Sequence, residues 1–360
     1  MFSDDDLEAA VAAGVVDRPT VERMRGFLAA RNRTALVDEE HFRLVSGFND
    51  IFVSIASILL LVAVGWIGQS IPLGLANAPR PLGGLLVAIV AWPLAEMFTA
   101  RRRLALPSIL LLVAFVGGIF EAATALGFAA IGANHEADIG QTFFSLIVAG
   151  AALIAAIGAY LHWRRFHVPI TVAAGTSALV ALALSLAAAA VPGIRDHLAL
   201  PAFVAGLGVF ALAMRWDMSD PKRETRRADV AFWLHLLAAP LIVHPVFAMM
   251  GLFGGNVGPA SAGVVVLLYL VLGLIALAID RRALMVSALA YVLYALSALF
   301  RTFGALSLNV ALTALVLGSA LLLLSAYWTM VRAAVLPLLP EDLRARLPVA
   351  SATVPARSAR

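Results

Sequence analysis

Ten apolar runs of bilayer-spanning length divide this chain, at roughly 51–68, 82–99, 105–127, 142–162, 168–190, 198–214, 230–252, 260–279, 283–300 and 308–332. A transmembrane helix needs about 20 apolar residues, and a chain in hydrocarbon must satisfy its own backbone, which continuous helices do. The runs therefore predict an all-α, polytopic transmembrane helix bundle of about ten spans. Composition agrees: 62% of the 360 residues are apolar and 13% charged, where a soluble domain has about 45–50% and about a quarter. Secreted, fibrous, disordered and nucleic-acid-binding chains are excluded, although the sequence pI is about 9.9. With no cysteine, disulfides, thiolate metal sites and cysteine nucleophiles are excluded too. Asp4, Asp5 and Asp6 stand where a signal peptide would be basic, so no cleavable signal is expected.

The basic residues explain the high pI. Of the 26 Lys and Arg, 23 fall in alternate inter-span segments counted from the N-terminus. The positive-inside rule then predicts that both termini are cytoplasmic, and it fits an even number of spans. Arg far outnumbers Lys, of which Lys222 is the sole example, and Ala is abundant. That bias suggests a high-GC bacterial genome and the inner membrane as location.

Outside the spans, residues 1–50 read as a cytoplasmic helical hairpin with an amphipathic lead-in. Ser3 caps a first helix through Leu7, Ala10 and Val11, which Gly14 ends. Asp17 and Pro19 begin a second helix carrying Val21, Met24 and Leu28. Residues 38–50, DEEHFRLVSGFND, place Phe42, Leu44, Val45 and Phe48 among charges, as a helix lying on the membrane surface requires. Residues 51–335 form the bundle and 336–360 a cytoplasmic tail. The hairpin residues Leu7, Ala10, Gly14 and Val15 and the lead-in resemble bacterial polytopic membrane proteins that carry a short helical N-terminal hairpin. That class implies no activity. Ten spans with both ends inside is also similar to drug and metabolite transporters, but those are built from inverted halves.

Here an offset of 179 superposes spans one to three on spans seven to nine in parallel. Asp50 falls on Asp229, Gly84 on Gly263, Arg102 and Arg103 on Arg281 and Arg282, and Ser108 on Ser287. After a loop contraction, Ala159 and Tyr160 match Ala326 and Tyr327. The expectation is a 4+2+4 arrangement with parallel repeats over 50–165 and 229–332, one recognised way to build transporters. Two hairpin pairs with basic inner turns would also look alike.

Ionisable groups inside spans are costly and are functional candidates by default. At about 1.5 Å per residue, Glu121, His244 and Arg301 lie about 25, 22 and 27 Å from the inner end, at one level. With His235 they form the candidate intramembrane polar site; snorkelling to the interface is the plainer reading of each. Glu96, near the inner boundary, is expected to pair locally with Arg101 to Arg103. The seventh span holds Pro240 and Pro245, a candidate helix break between titratable groups. His235 and His244 are two and a half turns apart and point to opposite faces, so a metal site between them is not expected.

The catalytic and phosphate-binding patterns HExxH, GxSxG, Walker and GxGxxG do not occur. The expectation is no cofactor, no metal and no catalytic residue. Three classes stay open: a transporter or channel-like protein for a small solute or ion; a scaffold, sensor or assembly factor meeting a protein partner at the hairpin; and a membrane enzyme acting on a lipid. Transport requires polar residues that line water, whereas a scaffold leaves them paired and dry.

Overall fold

The computed structural model describes residues 11, 13–23, 48–71, 80–131, 140–191, 193–220, 223, 225–251, 259–281, 285, 289, 293, 309–344 and 347. It divides into two units, Met1–Leu44 and Val45–Arg360. In the first, Gly14 takes φ +71° and its N–H donates to the Val11 oxygen at 3.0 Å. A helix follows over 18–23, its first turn closed by Thr20 N–H on the Asp17 oxygen at 3.0 Å. Ser3, Leu7, Ala10, Met24, Leu28 and the lead-in as far as 47 lie outside the described residues, as does 348–360 of the tail.

The second unit is helical, with no strand among the described residues. Its helices are α1 Phe48–Ser70, α2 Leu82–Ala95, α3 Ala105–Ala130, α4 Gln141–Phe166, α5 Ile170–Ala190, α6 Ala199–Met218, α7 Arg226–Met249, α8 Pro259–Ile279, α9 Asn309–Ala326 and α10 Trp328–Val335. A π-helical segment, Glu96–Arg101, prolongs α2 beyond Pro93. Among the described residues seven helices, α1 to α7, are long and apolar enough to span a membrane, with α2 counted through Arg101. Segments Gly318–Leu324 and Trp328–Leu338 make an eighth if counted as one span bent by 72°. Ten were expected; α8 covers the eighth run, and the ninth lies outside the described residues save for 285, 289 and 293. The tenth run is not one straight helix but α9 and α10 with a turn at Tyr327.

Packing follows the rule for helices in lipid, where large apolar residues gain nothing by facing inward and small ones permit close approach. In α4 the buried residues include Ser145, Ala149, Ala152, Ala155, Gly158 and Ala159 at helical spacing. Its Leu146, Leu153, Ile154, Ile157 and Leu161 are exposed. Helix α7 is the central member: 56% of its spanning window is buried, against 17–39% for the other six. One side of it joins Val209 and Ala213 of α6 through Leu234 and Ala238. Another joins Tyr269, Leu272 and Ala276 of α8 through Ala239, Val243 and Phe247.

Pro240 and Pro245 do not interrupt α7, which runs through both. A proline deprives the carbonyl four residues earlier of its helical N–H, so Pro245 releases that of Leu241. Gly206 of α6 closes on this point: a methyl group there would lie 2.8 Å from the Leu241 oxygen. A neighbouring backbone thus covers the freed carbonyl, the way membrane helices tolerate internal proline.

Candidate functional site

Three of the polar groups predicted inside the bilayer are described, and they do not meet. Glu121 is half-buried on α3, His235 is fully buried on α7 and His244 is exposed on α7. Arg301 lies outside the described residues.

Glu121 faces an open groove of about 670 Å³ between α1, α2 and α3. Leu61, Val62, Val87, Val113 and Ala114 make its apolar wall, and Gln69 and Glu121 its polar end. Gln69 Nε2 donates to Glu121 Oε1 at 3.0 Å, while Glu121 Oε2 is buried against the backbones of Gly84 and Gly118. Arg80, at the same end of α1, donates to the backbone oxygen of Gln69. Gly84 makes room for the carboxylate, since a side chain there would collide with Oε2. On the groove's own surface Gly117 is open, with nothing within 4 Å of an added methyl group. Val62, Trp66 and Val113, which flank the opening, are exposed.

His235 belongs to a different, closed arrangement. Its Nε2 lies 2.9 Å from Asp217 Oδ2 at the end of α6. Arg281, just past α8, donates to the same carboxylate through Nη2 and, at 3.2 and 3.1 Å, through Nε. Arg281 Nη2 also reaches the Ala228 oxygen of α7 at 3.1 Å. Beside it Asp280 accepts from Arg223 at 3.2 Å and from Trp328 Nε1 at 2.7 Å, and Arg332 lies 3.8 Å away. Arg332 Nε donates to the Leu277 oxygen at 3.1 Å. Asp217, His235, Asp280, Arg281 and Arg332 are all at most 5% exposed. In low dielectric such charges persist only when paired and hydrogen-bonded, as here. The network ties the same end of α6, α7 and α8 to α10.

Glu96 pairs as expected in kind but not in partner. Arg165 of α4, rather than Arg101 to Arg103, holds it bidentately at 2.7 and 2.6 Å. No group of three or more metal-ligating side chains occurs among the described residues.

Sequence reasoning missed Gln69, which carries no charge, and Asp217, Asp280 and Trp328, which sit where spans end. Arg281 entered it only as a repeat landmark, and Arg332 only among the counted basic residues. No protein-family model, no curated protein and no solved structure matches the chain.

Proposed function

We propose that the protein is a multi-pass membrane protein of the transporter or channel-like class, and that the Glu121 groove handles its small solute. The observation that carries this reading is the Glu121 carboxylate, held by Gln69, on the lining of an otherwise apolar groove. An ionisable group within a span, on the lining of a groove, is a candidate for a solute or ion path. His235 supports it less, because Asp217 and Arg281 occupy its surroundings. The charge asymmetry of the segments supports both termini being cytoplasmic, and the Arg and Ala bias supports a bacterial inner membrane. The parallel repeat gains one structural parallel: Arg102 N–H donates to Met97 oxygen and Arg281 N–H to Ala276 oxygen, both at the offset of 179.

The chain's lack of cysteine makes the test direct. A cysteine at Gly117, where a side chain fits, is labelled with membrane-impermeant thiol reagents from each side in turn. Gly118, the adjacent mid-span position, is unsuitable, because a side chain there would press on the Gly84 oxygen at 2.5 Å. Labelling from both sides is expected; labelling from neither would sink transport. The second reading, a scaffold, is favoured by the buried network around Asp217 and Asp280, which is paired as that reading requires. It predicts a Gly117→Cys protein inert to both reagents.

A further inference from the structure

We infer that the Arg164 end of α4 is a binding site for an anionic phospholipid. Its phosphate rests on the Arg164 guanidinium and its acyl chains lie along the exposed face of the same helix. Such a site is independent of whatever the Glu121 groove handles.

Charge is the first ground. Arg101 ends the π segment, Arg102 and Arg103 follow it, and Arg164 and Arg165 stand in the last turn of α4. All five are exposed. The Arg165–Glu96 ion pair at 2.6 Å fastens the π segment to the end of α4 and so sets the two basic turns side by side. It also occupies the Glu96 carboxylate. Among the described residues Arg101, Arg102, Arg103 and Arg164 have no acidic partner, whereas Arg223, Arg281 and Arg332 are paired with aspartates. Uncompensated arginines at a membrane surface attract anionic lipid, by about fivefold for each one.

Position is the second. Leu146, Leu153, Ile157, Tyr160 and Arg164 follow one another at seven, four, three and four residues, so they share one stripe of α4. Every one of them is exposed. The Arg164 guanidinium lies 6.0 Å from the centroid of the Tyr160 ring, one turn further into the span. It therefore leans back along the stripe instead of reaching away from the bundle. A tyrosine and a snorkelling arginine at the end of an apolar stripe mark headgroup depth.

Chemistry selects the lipid. A guanidinium presents a planar fork of donors that fits two phosphate oxygens, while its face stays on the tyrosine. A phosphodiester with an uncharged head keeps its full negative charge. A choline head adds a cation that the unpaired arginines repel. A soluble phosphate would meet the charge and leave Leu153 and Ile157 uncovered.

The test uses the full chain in nanodiscs, with a bimane-labelled cysteine at Ile157, about 10 Å along the stripe from Arg164. A second reporter sits at Phe143, exposed at the opposite end of α4. Phosphatidylglycerol or phosphatidylcholine with spin-labelled chains is titrated into phosphatidylcholine, and quenching is read. Phosphatidylglycerol is expected to quench Ile157→Cys at about fivefold lower mole fraction than phosphatidylcholine, the ratio one arginine gives. The two lipids should quench Phe143→Cys alike. Arg164→Gln should remove most of the preference and Arg164→Lys should retain part of it. Arg226→Gln, which takes one exposed charge from the start of α7, should leave it intact. Equal quenching by both lipids at Ile157, the same preference at Phe143, or its survival in Arg164→Gln would each overturn the site. An equal loss in Arg226→Gln would do so too, because diffuse charge alone would then be drawing the lipid. Quenching at Ile157 by neither lipid would mean that a protein or a second copy covers the stripe, and would likewise overturn it.

Discussion

Gly84 and Gly118 interlock across the crossing of α2 and α3. A methyl group on Gly118 would lie 2.5 Å from the Gly84 oxygen, and one on Gly84 would strike the Gly118 oxygen and Glu121 Oε2 together. The two glycines therefore set how closely the helices approach and, through that, where the carboxylate sits. Gly118→Ala is expected to cost about 1–3 kcal/mol, the range of an overpacked contact. Gly117→Ala, one residue away but open, is expected to be neutral. Thermal denaturation of the two purified variants in one detergent checks the contrast.

The Asp217–Arg281 pair should show the asymmetry of buried charges. Arg281→Met leaves the Asp217 carboxylate, at 1% exposure, with His235 alone of its two partners and is expected to destabilise by about 3 kcal/mol. Adding Asp217→Leu together with His235→Phe to that variant should restore part of the loss, because apolar groups replace all three members of the buried ionic cluster. A mutant cycle on melting temperature measures it, and no recovery in the triple variant would refute the pairing.

Trp328 should act as a latch for α10. Its indole N–H donates to Asp280 Oδ1 at 2.7 Å while the ring is 2% exposed. Trp328→Phe keeps an aromatic ring but removes this donor from Asp280, at a cost of about 1 kcal/mol. Faster amide hydrogen exchange over Trp328–Val335, with α4 unchanged, is the expected readout.

By contrast, Glu96 and Arg165 should matter little, despite two short hydrogen bonds. Their side chains are 31% and 53% exposed, and pairs open to solvent contribute about 0–1 kcal/mol. Glu96→Gln should shift the melting temperature by no more than the scatter between preparations.

The spans were readable in the sequence because the bilayer dictates them: run 51–68 became Phe48–Ser70 and run 105–127 became Ala105–Ala130. Glu121 was readable for the same reason, as a charge inside an apolar run. Its partner Gln69 was not, since an amide at the end of α1 looks like any interfacial residue. The bend at Tyr327 was hidden because Trp328 and Arg332 extend the apolar run in pattern while their acceptors, on Asp280 and Leu277, lie some fifty positions earlier. Asp217 was hidden in plain view. Only basic charges were counted for topology, and no count can show that His235 and Arg281 converge on one carboxylate. Glu96 was given neighbours in sequence, but Arg165 reaches it from another helix.

The π segment and α8 both end on a residue in the left-handed region that is not glycine, and so do α4 and the α6–α7 turn. Arg103, His167, Arg223 and Asp280 have φ of 53–58°, whereas the turns after α5 and α7 use Gly193 and Gly251. Because each spanning helix reverses the chain, the first four lie on one side and the two glycines on the other. A left-handed side-chain-bearing residue costs about 1–2 kcal/mol, so Arg103→Gly should raise stability by about 1 kcal/mol. The same substitution removes one of the charges by which a chain is oriented as it is inserted. At Arg103 and Arg223 the strained position is thus also a basic charge in a turn on one side of the bundle, so relieving the strain with glycine would also remove charge from the side on which the turns carry it.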